Sequence, residues 1–360
     1  MLKETTSSRS RSFNRLNGPG GLVAIRKTSL SRLEAEHERL QKFAKVILAS
    51  RDKKHSNLHF FDYAFLANNH LDNRLVLHAT HDAGLFSCLT TIMWSILEIQ
   101  QLGLELPTRI SNSFGMDRFK SELASNTFDQ WFEQPTSPAL EQLSRTRTKS
   151  APNSSPRMFD HHGDYHDLYQ SQLGPDWLGA YLQAYMKPSH RLENAIQMIE
   201  NKYNIKTTKT LVACYRGTDK HTELQQDPVS TYLERAKHLA AELDVKQILI
   251  QTDQQQVRSL FKEAFKERCL FIKELPVTDG TIVLHQQLAG KIDLETWSLN
   301  LLAMVHACAR ASGVLSHTGN LGFFLSLLTM INGGRLVQLR YTAVIQPRML
   351  RILKRTQRYA

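Results

Sequence analysis

The chain has 360 residues, of which 41% are hydrophobic and 8% aromatic, a length and composition that allow two packed domains and exclude wholesale disorder. Lys and Arg outnumber Asp and Glu by 45 to 34, which favours acidic partners such as nucleotide phosphates, nucleic acid or an anionic membrane surface. The four cysteines form no CxxC pair, which argues against a disulfide framework and fits a reducing compartment.

Both ends of the chain are basic. Residues 1–28 are rich in Ser, Arg and Gly and predict a poorly ordered tail, and residues 346–360 predict a second basic tail or helix. Solvated ends are the favoured interpretation, and peripheral membrane contact is the alternative. The basic residues are not interleaved with aromatics, which argues against a specific nucleic-acid face. The start has no apolar signal core and no 18-residue apolar run occurs, so we expect a cytoplasmic chain without a membrane anchor.

The first half of the chain predicts an α/β domain over residues 29–187. A short strand at 75–79, an apolar helix at 85–101 and a segment at 104–107 that leads into another strand form one βαβ unit. A polar, Pro- and Ser-rich segment near 134–167 predicts a long loop, of the kind that serves as a lid, a binding loop or a linker.

That segment carries a cluster of potential metal ligands. The spacing is not the i,i+4 pattern of a helical zinc motif, and histidines are common in surface loops. A structural or acceptor-contacting role is therefore favoured over a metal site, and we expect no metal. The cluster comprises Asp160, His161, His162, Asp164 and His166.

The second half, residues 188–345, begins after a domain boundary near Lys187. Strands and helices alternate without a break, which predicts a parallel, doubly wound sheet. The predicted strands are 210–215, 247–251, 270–273, 313–316 and 335–339. One helix is predicted to begin at Ser189, and four more are predicted over 228–243, 254–265, 296–311 and 320–329.

The first of these strands delivers an arginine to its end. In open parallel sheets, ligands bind beyond the carboxyl ends of the strands. In "LVACYRGTDKHTE", Arg216 follows an apolar run, and burying a guanidinium is costly unless an anion meets it. Gly217 would allow a ligand to approach the backbone closely. The alternative is an ordinary turn in which Arg216 pairs with Asp219.

Two further strand ends carry polar residues. Asp253 follows the strand in "QILIQTD", where it either caps the next helix or orients Arg216 or Lys220 or contacts a ribose. In "GVLSHTGNLG", hydroxyls and a glycine precede a helix, which suits an anion, although a simple capped turn has the same residues. Three such ends in one sheet favour a shared site.

These segments also carry a family resemblance over residues 180–340. "VACYRGTDKHTE", followed by Asp227, Pro228 and Tyr232, resembles the H-x-R-R-T-D-K…E…P…Y region of GDP-fucose-dependent fucosyltransferases. That superfamily includes α-1,6-fucosyltransferases, rhizobial nodulation fucosyltransferases and protein O-fucosyltransferases. "LIQTD" and "VLSHTGNLG" resemble its next two strand ends. The resemblance implies a GT-B fold: two Rossmann-like domains with the active site in the cleft and the donor held mainly by the second.

The resemblance implies an inverting transfer of fucose from GDP-fucose without an essential metal or other cofactor. Arg216 matches the arginine that grips the β-phosphate, Lys220 a second cation, and Glu223 the base that activates the acceptor. The acceptor hydroxyl would belong to a glycan, a lipid-linked sugar or a protein. The implied donor-binding residues are Arg216, Gly217, Asp219, Asp253, Ser316, Thr318, Gly319 and Asn320.

The sequence departs from the family pattern at several positions. Cys214 stands where the family has a histidine, and Gly217 where it has a second arginine. One residue is missing between Lys220 and Glu223, and Ala303 falls where an aspartate reads guanine, with Asn300 nearby. Two alternatives follow: a transferase that uses another nucleotide sugar, and a non-catalytic protein that binds a nucleotide or polyanion.

Overall fold

A computed structural model describes residues 76–79, 84–101, 103–112, 119, 126–148, 173–217, 224–225, 227–279, 293–339 and 342–343. All of them belong to one compact unit, residues 54–360. The predicted basic tails and the His/Asp cluster at 160–166 lie outside the described residues.

Strands and helices alternate along most of the described chain. In chain order the elements are β1 (Val76–Ala79), α1 (Leu85–Gln101), β2 (Arg109–Asn112), α2 (Thr127–Trp131), α3 (Ser137–Arg145), α4 (Pro175–Tyr185), α5 (His190–Lys202), β3 (Thr210–Tyr215), β4 (Leu224–Gln225), α6 (Val229–Glu242), β5 (Gln247–Thr252), α7 (Gln255–Phe265), a 3-10 turn (Lys266–Arg268), β6 (Cys269–Phe271), α8 (Leu294–Cys308), β7 (Gly313–His317), α9 (Asn320–Ile331), β8 (Arg335–Leu339) and β9 (Thr342–Ala343).

The first half contains the predicted βαβ unit. β1 and β2 pair in parallel, with Val76 opposite Arg109, and α1 connects them. α1 is buried on nearly all sides. The hydroxyls of Thr90 and Thr91 bond back to carbonyls of the same helix, at 2.7 and 2.8 Å. The strand begins at Arg109, two residues after the apolar segment from which it was predicted.

The predicted loop near 134–167 is wrong in its described part, because α3 begins at Ser137. Pro138 lies in the first turn, where a helix tolerates proline because the missing amide would have had no partner. Leu143 is buried against the rest of the fold, and Gln100 Nε2 donates to its carbonyl at 2.8 Å. The helix depends on these distant partners, which local composition does not reveal.

A five-stranded parallel sheet occupies the second half, in the order β6-β5-β3-β7-β8. β3 and β8 have the predicted bounds, and the other strands and helices differ from prediction by a few residues at most. Leu211, Ala213 and Tyr215 face a cluster that includes residues of α6 and α7. Val212 and Cys214 face a second cluster with α8 and α9. The doubly wound α/β sheet is therefore confirmed.

The winding direction reverses between β3 and β7. From β3 the chain moves outward through β5 to β6, then crosses to β7 on the other side of β3 and continues to β8. Leu211 pairs with Gly313 and Ala213 with Leu315, so the two carboxyl ends lie side by side. Ligands of open α/β sheets bind at such a reversal, because the following loops separate there and leave a crevice.

α9 is held firmly behind this reversal. It packs on α1 through the ring pairs Phe86–Phe324 and Trp94–Phe323, with centroids 5.7 and 6.3 Å apart. A Cβ on Gly322 would lie 2.1 Å from the carbonyl oxygen of His317, so the first turn of α9 lies directly against the end of β7. Burial on both sides explains why α9 is apolar around most of its circumference.

Residues of both halves share one buried cluster, which includes side chains of α1, α4, α5, α8 and α9. The boundary near Lys187, the GT-B arrangement and the cleft stay predictions. Among the helices that the structure describes, none combines the length and apolarity needed to cross a bilayer.

Candidate functional site

Arg216 is the first residue beyond β3 and remains accessible. Its side chain is 35% exposed, while that of Asp253 is 8% exposed, and Arg216 Nε lies 3.9 Å from Asp253 Oδ2. The separation is at the long limit of an ion pair, so the carboxylate orients the guanidinium without a close bidentate grip. A cation with this exposure at the reversal of the sheet is suited to meet an anion.

Asp253 serves the tip of β3. Its Oδ1 accepts the backbone amide of Gly217 at 3.1 Å, and its own carbonyl accepts the amide of Thr278 at 2.9 Å. The residue that caps α7 is Gln254, whose side chain makes no capping bond. Of the predicted roles, the geometry removes the helix cap and places the carboxylate beside Arg216, as an orienting role requires. The ribose contact stays a prediction.

Gly217 is crowded by the protein itself. A Cβ there would lie 2.5 Å from Gln254 Oε1 and 2.9 Å from Tyr215 Cε1. These distances are well below van der Waals contact, so no larger residue fits without movement of its neighbours. The groups that approach Gly217 closely are the side chains of Gln254 and Tyr215. A donor contact at Gly217 stays a prediction.

The third strand end connects β7 to α9 through Thr318 and Gly319 only. Ser316 is fully buried, and its hydroxyl donates to the carbonyl of Gly322 at 3.3 Å, which ties β7 to α9. His317, which the sequence analysis did not single out, accepts the amide of Gly319 on Nδ1 at 3.0 Å. The ring therefore carries its proton on Nε2. The sequence feature that could have indicated His317 as a site residue is its position as the last residue of the strand.

The first turn of α9 supplies the partial positive charge of a helix N-terminus. Gly319 is the capping position and has no side chain, so the amides that follow are not capped by it. Thr318 is buried, and the Oδ1 of Asn320 is buried without a hydrogen-bond partner among the described residues. Contacts of Ser316, Thr318, Gly319 and Asn320 with a donor stay predictions.

Cys214 lies inside the sheet, where it cannot reach a ligand. It is fully buried, and its thiol donates to Gln251 Oε1 on the neighbouring strand at 2.8 Å. Burial raises the pKa of the Cys214 thiol, and the neighbouring Cys308 and Asp253 act in the same direction. The thiol is therefore a neutral donor and a poor nucleophile.

Tyr232 packs behind the arginine strand. Its ring meets that of Tyr215 edge to face with centroids 4.9 Å apart, and burial raises the pKa of both hydroxyls. The Tyr232 hydroxyl is buried and has no hydrogen-bond partner in the described part of the chain. The contact holds the last residue of β3 in place, directly before Arg216.

For several predicted site residues, the structure gives no evidence on their proposed roles. Asp219, Lys220 and Glu223 lie outside the described residues, so their roles and the Arg216–Asp219 turn stay predictions. Ala303 is fully buried in α8 and cannot contact a base, whereas Asn300 is partly exposed. Within the described ranges, no group of three or more His, Cys, Asp or Glu is arranged to hold a metal ion. Metal independence stays a prediction.

A partly exposed guanidinium lies at the reversal of the sheet, on the strand next to the one that leads into α9. This arrangement defines a candidate site for an anion such as a nucleotide phosphate. No protein-family model matches the chain, and no curated protein matches it.

Solved structures similar to this chain include NodZ α-1,6-fucosyltransferase co-crystallised with GDP, at 13% identity and a TM-score of 0.44, covering 71% of this chain and 92% of that one. POFUT1 in complex with GDP matches at 8% identity and a TM-score of 0.32, and the match covers 45% of this chain and 49% of that one. A variant of Arabidopsis thaliana FUT1 in complex with GDP matches at 10% identity and a TM-score of 0.32, and the match covers 73% of this chain and 49% of that one. The chain thus spans about half the length of the last two.

Proposed function

We propose that the chain is an inverting glycosyltransferase that transfers fucose from GDP-fucose to an acceptor hydroxyl. The observation that carries the proposal is Arg216, partly exposed at the tip of β3, whose neighbouring strand β7 leads into the N-terminus of α9. The sequence motifs shared with GDP-fucose-dependent fucosyltransferases supply the substrate class. A GT-B cleft formed with the first half would hold the acceptor, which is a glycan, a lipid-linked sugar or a protein hydroxyl.

The chemistry requires positive charge at the diphosphate. As the bond from the anomeric carbon to the phosphate oxygen breaks, negative charge grows on the departing GDP, and the acceptor oxygen bonds to the opposite face of that carbon. Arg216 would stabilise this charge with a planar pair of donors, which an ammonium cannot reproduce. The amides of the first turn of α9 would add to it.

The remaining steps fall to residues that the structure does not describe. Lys220 would provide a second cation, and Glu223 would take the proton that the acceptor hydroxyl loses. Asp253 holds the backbone of Gly217 and faces the Arg216 guanidinium, so it is a positioning residue in this scheme.

The donor base has a specific alternative. Ala303 stands where the resembling family reads guanine, and its complete burial in α8 removes it from any contact with the base. A nucleotide sugar with another base is therefore the second candidate. A non-catalytic protein that binds a nucleotide or polyanion is the alternative outside enzymes.

Titration of the purified chain with GDP, UDP and ADP tests the donor, followed by measurement of fucose release or transfer from GDP-fucose by wild type and Arg216→Ala. Preferential binding of GDP and turnover that Arg216→Ala abolishes would support the proposal. Preference for UDP or ADP would replace the fucose assignment. Absence of turnover with every donor, together with salt-dependent RNA binding, would favour the polyanion binder.

A further inference from the structure

The two side chains that follow β5 both turn back toward the tip of β3. Asp253 binds the amide of Gly217, and the carboxamide of Gln254 covers the same residue, with Oε1 and Cδ only 2.5 and 2.8 Å from the Cβ position. Gln254 occupies the N-cap of α7, yet its side chain makes no capping bond. Glutamine is a weak choice for a cap, so the needs of α7 do not explain this residue.

The backbone that carries Gln254 is well anchored. Its amide donates to Thr252 Oγ1 at 3.2 Å, and the next amide, of Gln255, donates to the carbonyl of Thr278 at 2.9 Å. Gln254 and Thr278 also form a parallel β-bridge. The carboxamide is therefore presented from a fixed position.

Gln254, together with Tyr215, occupies the space that a side chain at position 217 would need. The tip of β3 therefore carries Arg216 followed by glycine, and the neutral amide of Gln254 lies over that glycine. A carboxamide donates to a phosphate oxygen and accepts from a sugar hydroxyl. Because it is neutral, it favours a directional contact over a general attraction for anions.

We propose that Gln254 is a specificity-determining residue that hydrogen-bonds the sugar-diphosphate part of a nucleotide sugar beside Arg216. This inference rests on the proposed function. It assigns Gln254 to the phosphate and sugar end of the donor, and it predicts no contact with the base.

Affinity measurements with GDP-fucose, GDP and guanosine test the contact on wild type, Gln254→Ala and Gln254→Glu. The matched control is Gln255→Ala, the same residue type at the next position of the chain, where the side chain is exposed. We expect Gln254→Ala to weaken GDP and GDP-fucose binding about tenfold, as for a lost hydrogen bond to a charged group. Gln254→Glu should weaken both about a hundredfold, because a carboxylate repels phosphate. Guanosine binding and the control should change less than about twofold.

A packing test is independent of any ligand. Gly217→Ala should lower the melting temperature, and adding Gln254→Ala should restore part of the loss, because the contacts at 2.5 and 2.8 Å disappear while that with Tyr215 at 2.9 Å remains. Strictly additive losses in the double variant would overturn the packing of Gln254 on Gly217.

The outcomes separate the two proposals. Wild-type affinity for GDP and GDP-fucose in both Gln254 variants would overturn the role of Gln254 alone and leave the proposed function standing. Failure of the wild type to bind GDP or GDP-fucose would overturn the proposed function, and the donor contact with it, whatever the packing test gives. Equal weakening of guanosine and GDP would also overturn the assignment of Gln254 to the diphosphate end.

Discussion

The carboxylate of Asp253 accepts the backbone amide of Gly217 at 3.1 Å, and this bond joins the carboxyl ends of β5 and β3. Asp253 is almost fully buried, and its second oxygen faces Arg216 Nε at 3.9 Å. One side chain thus binds the backbone just beyond β3 and lies beside the cation that this strand end carries. The accessible face of Arg216 is what the proposed donor would use.

Arg216→Lys should lower the transfer rate from GDP-fucose by at least about tenfold, because a lysine keeps the charge and loses the planar pair of donors. The control is Arg145→Lys, which alters a side chain that is 75% exposed and pairs with Glu141 one helical turn away. A rate near that of the wild type in Arg216→Lys would contradict the phosphate role.

Asp253 should respond differently to two substitutions. Asp253→Ala leaves the buried amide of Gly217 without its acceptor and should lower the free energy of unfolding by about 1–3 kcal/mol. Asp253→Asn can retain that acceptor and should lose less stability, while turnover falls in both variants because Arg216 is less well oriented. Chemical denaturation measures the difference. Equal destabilisation by Asn and Ala would show that the amide bond is not what Asp253 contributes.

Gly322→Ala should destabilise the protein and weaken GDP binding together. The new methyl would lie 2.1 Å from the backbone oxygen of His317, so the start of α9 must move away from β7, with an expected loss of about 1–3 kcal/mol. Gly179→Ala is the matched control, because nothing lies within 4 Å of a Cβ in that helix, and it should be neutral or stabilising by up to about 1 kcal/mol. Thermal unfolding and GDP titration measure both effects. An unaffected Gly322→Ala would mean that α9 does not rest on β7 as described.

His306 should make stability depend on acid pH. Its ring lines a small apolar cavity with Leu302 and Phe324, and burial lowers its pKa to about 4, with Arg310 acting in the same direction. In the unfolded chain the histidine pKa is near 6.5, so between about pH 6.5 and pH 4 the unfolded chain binds a proton at this residue and the folded chain does not. Stability is therefore complete above about pH 6.5 and falls as the pH drops toward 4, by a total on the order of 3 kcal/mol.

Urea denaturation of wild type and His306→Gln between pH 4 and 7 measures this slope, which the variant should lack over most of the range. His238→Gln, which alters a side chain 79% exposed, should retain it. If His306→Gln kept the slope of the wild type, other groups would have to account for the acid sensitivity.

Local sequence patterns determined the elements of the second half and their order. A charged residue, Arg216, follows the apolar run Thr210–Tyr215. Strands that alternate with helices favour a parallel sheet, so the sheet and its polar strand ends were predicted from periodicity and connection rules. The α3 helix was missed because its support comes from Gln100 and the burial of Leu143, partners that composition does not reveal.

Only the tertiary structure decided which groups lie against Asp253 and Gly217. Sequence spacing left Asp253 with the roles of helix cap, orienting residue or ribose contact, because all of them suit an aspartate one residue before the predicted helix. The choice depends on which backbone amide lies within reach, and the pairing of β5 with β3 brings that of Gly217 to 3.1 Å. Glycine at position 217 likewise predicted space for a ligand, but the side chain of Gln254 lies in that space. The sequence order does not show which side chains from neighbouring strand ends meet in the fold.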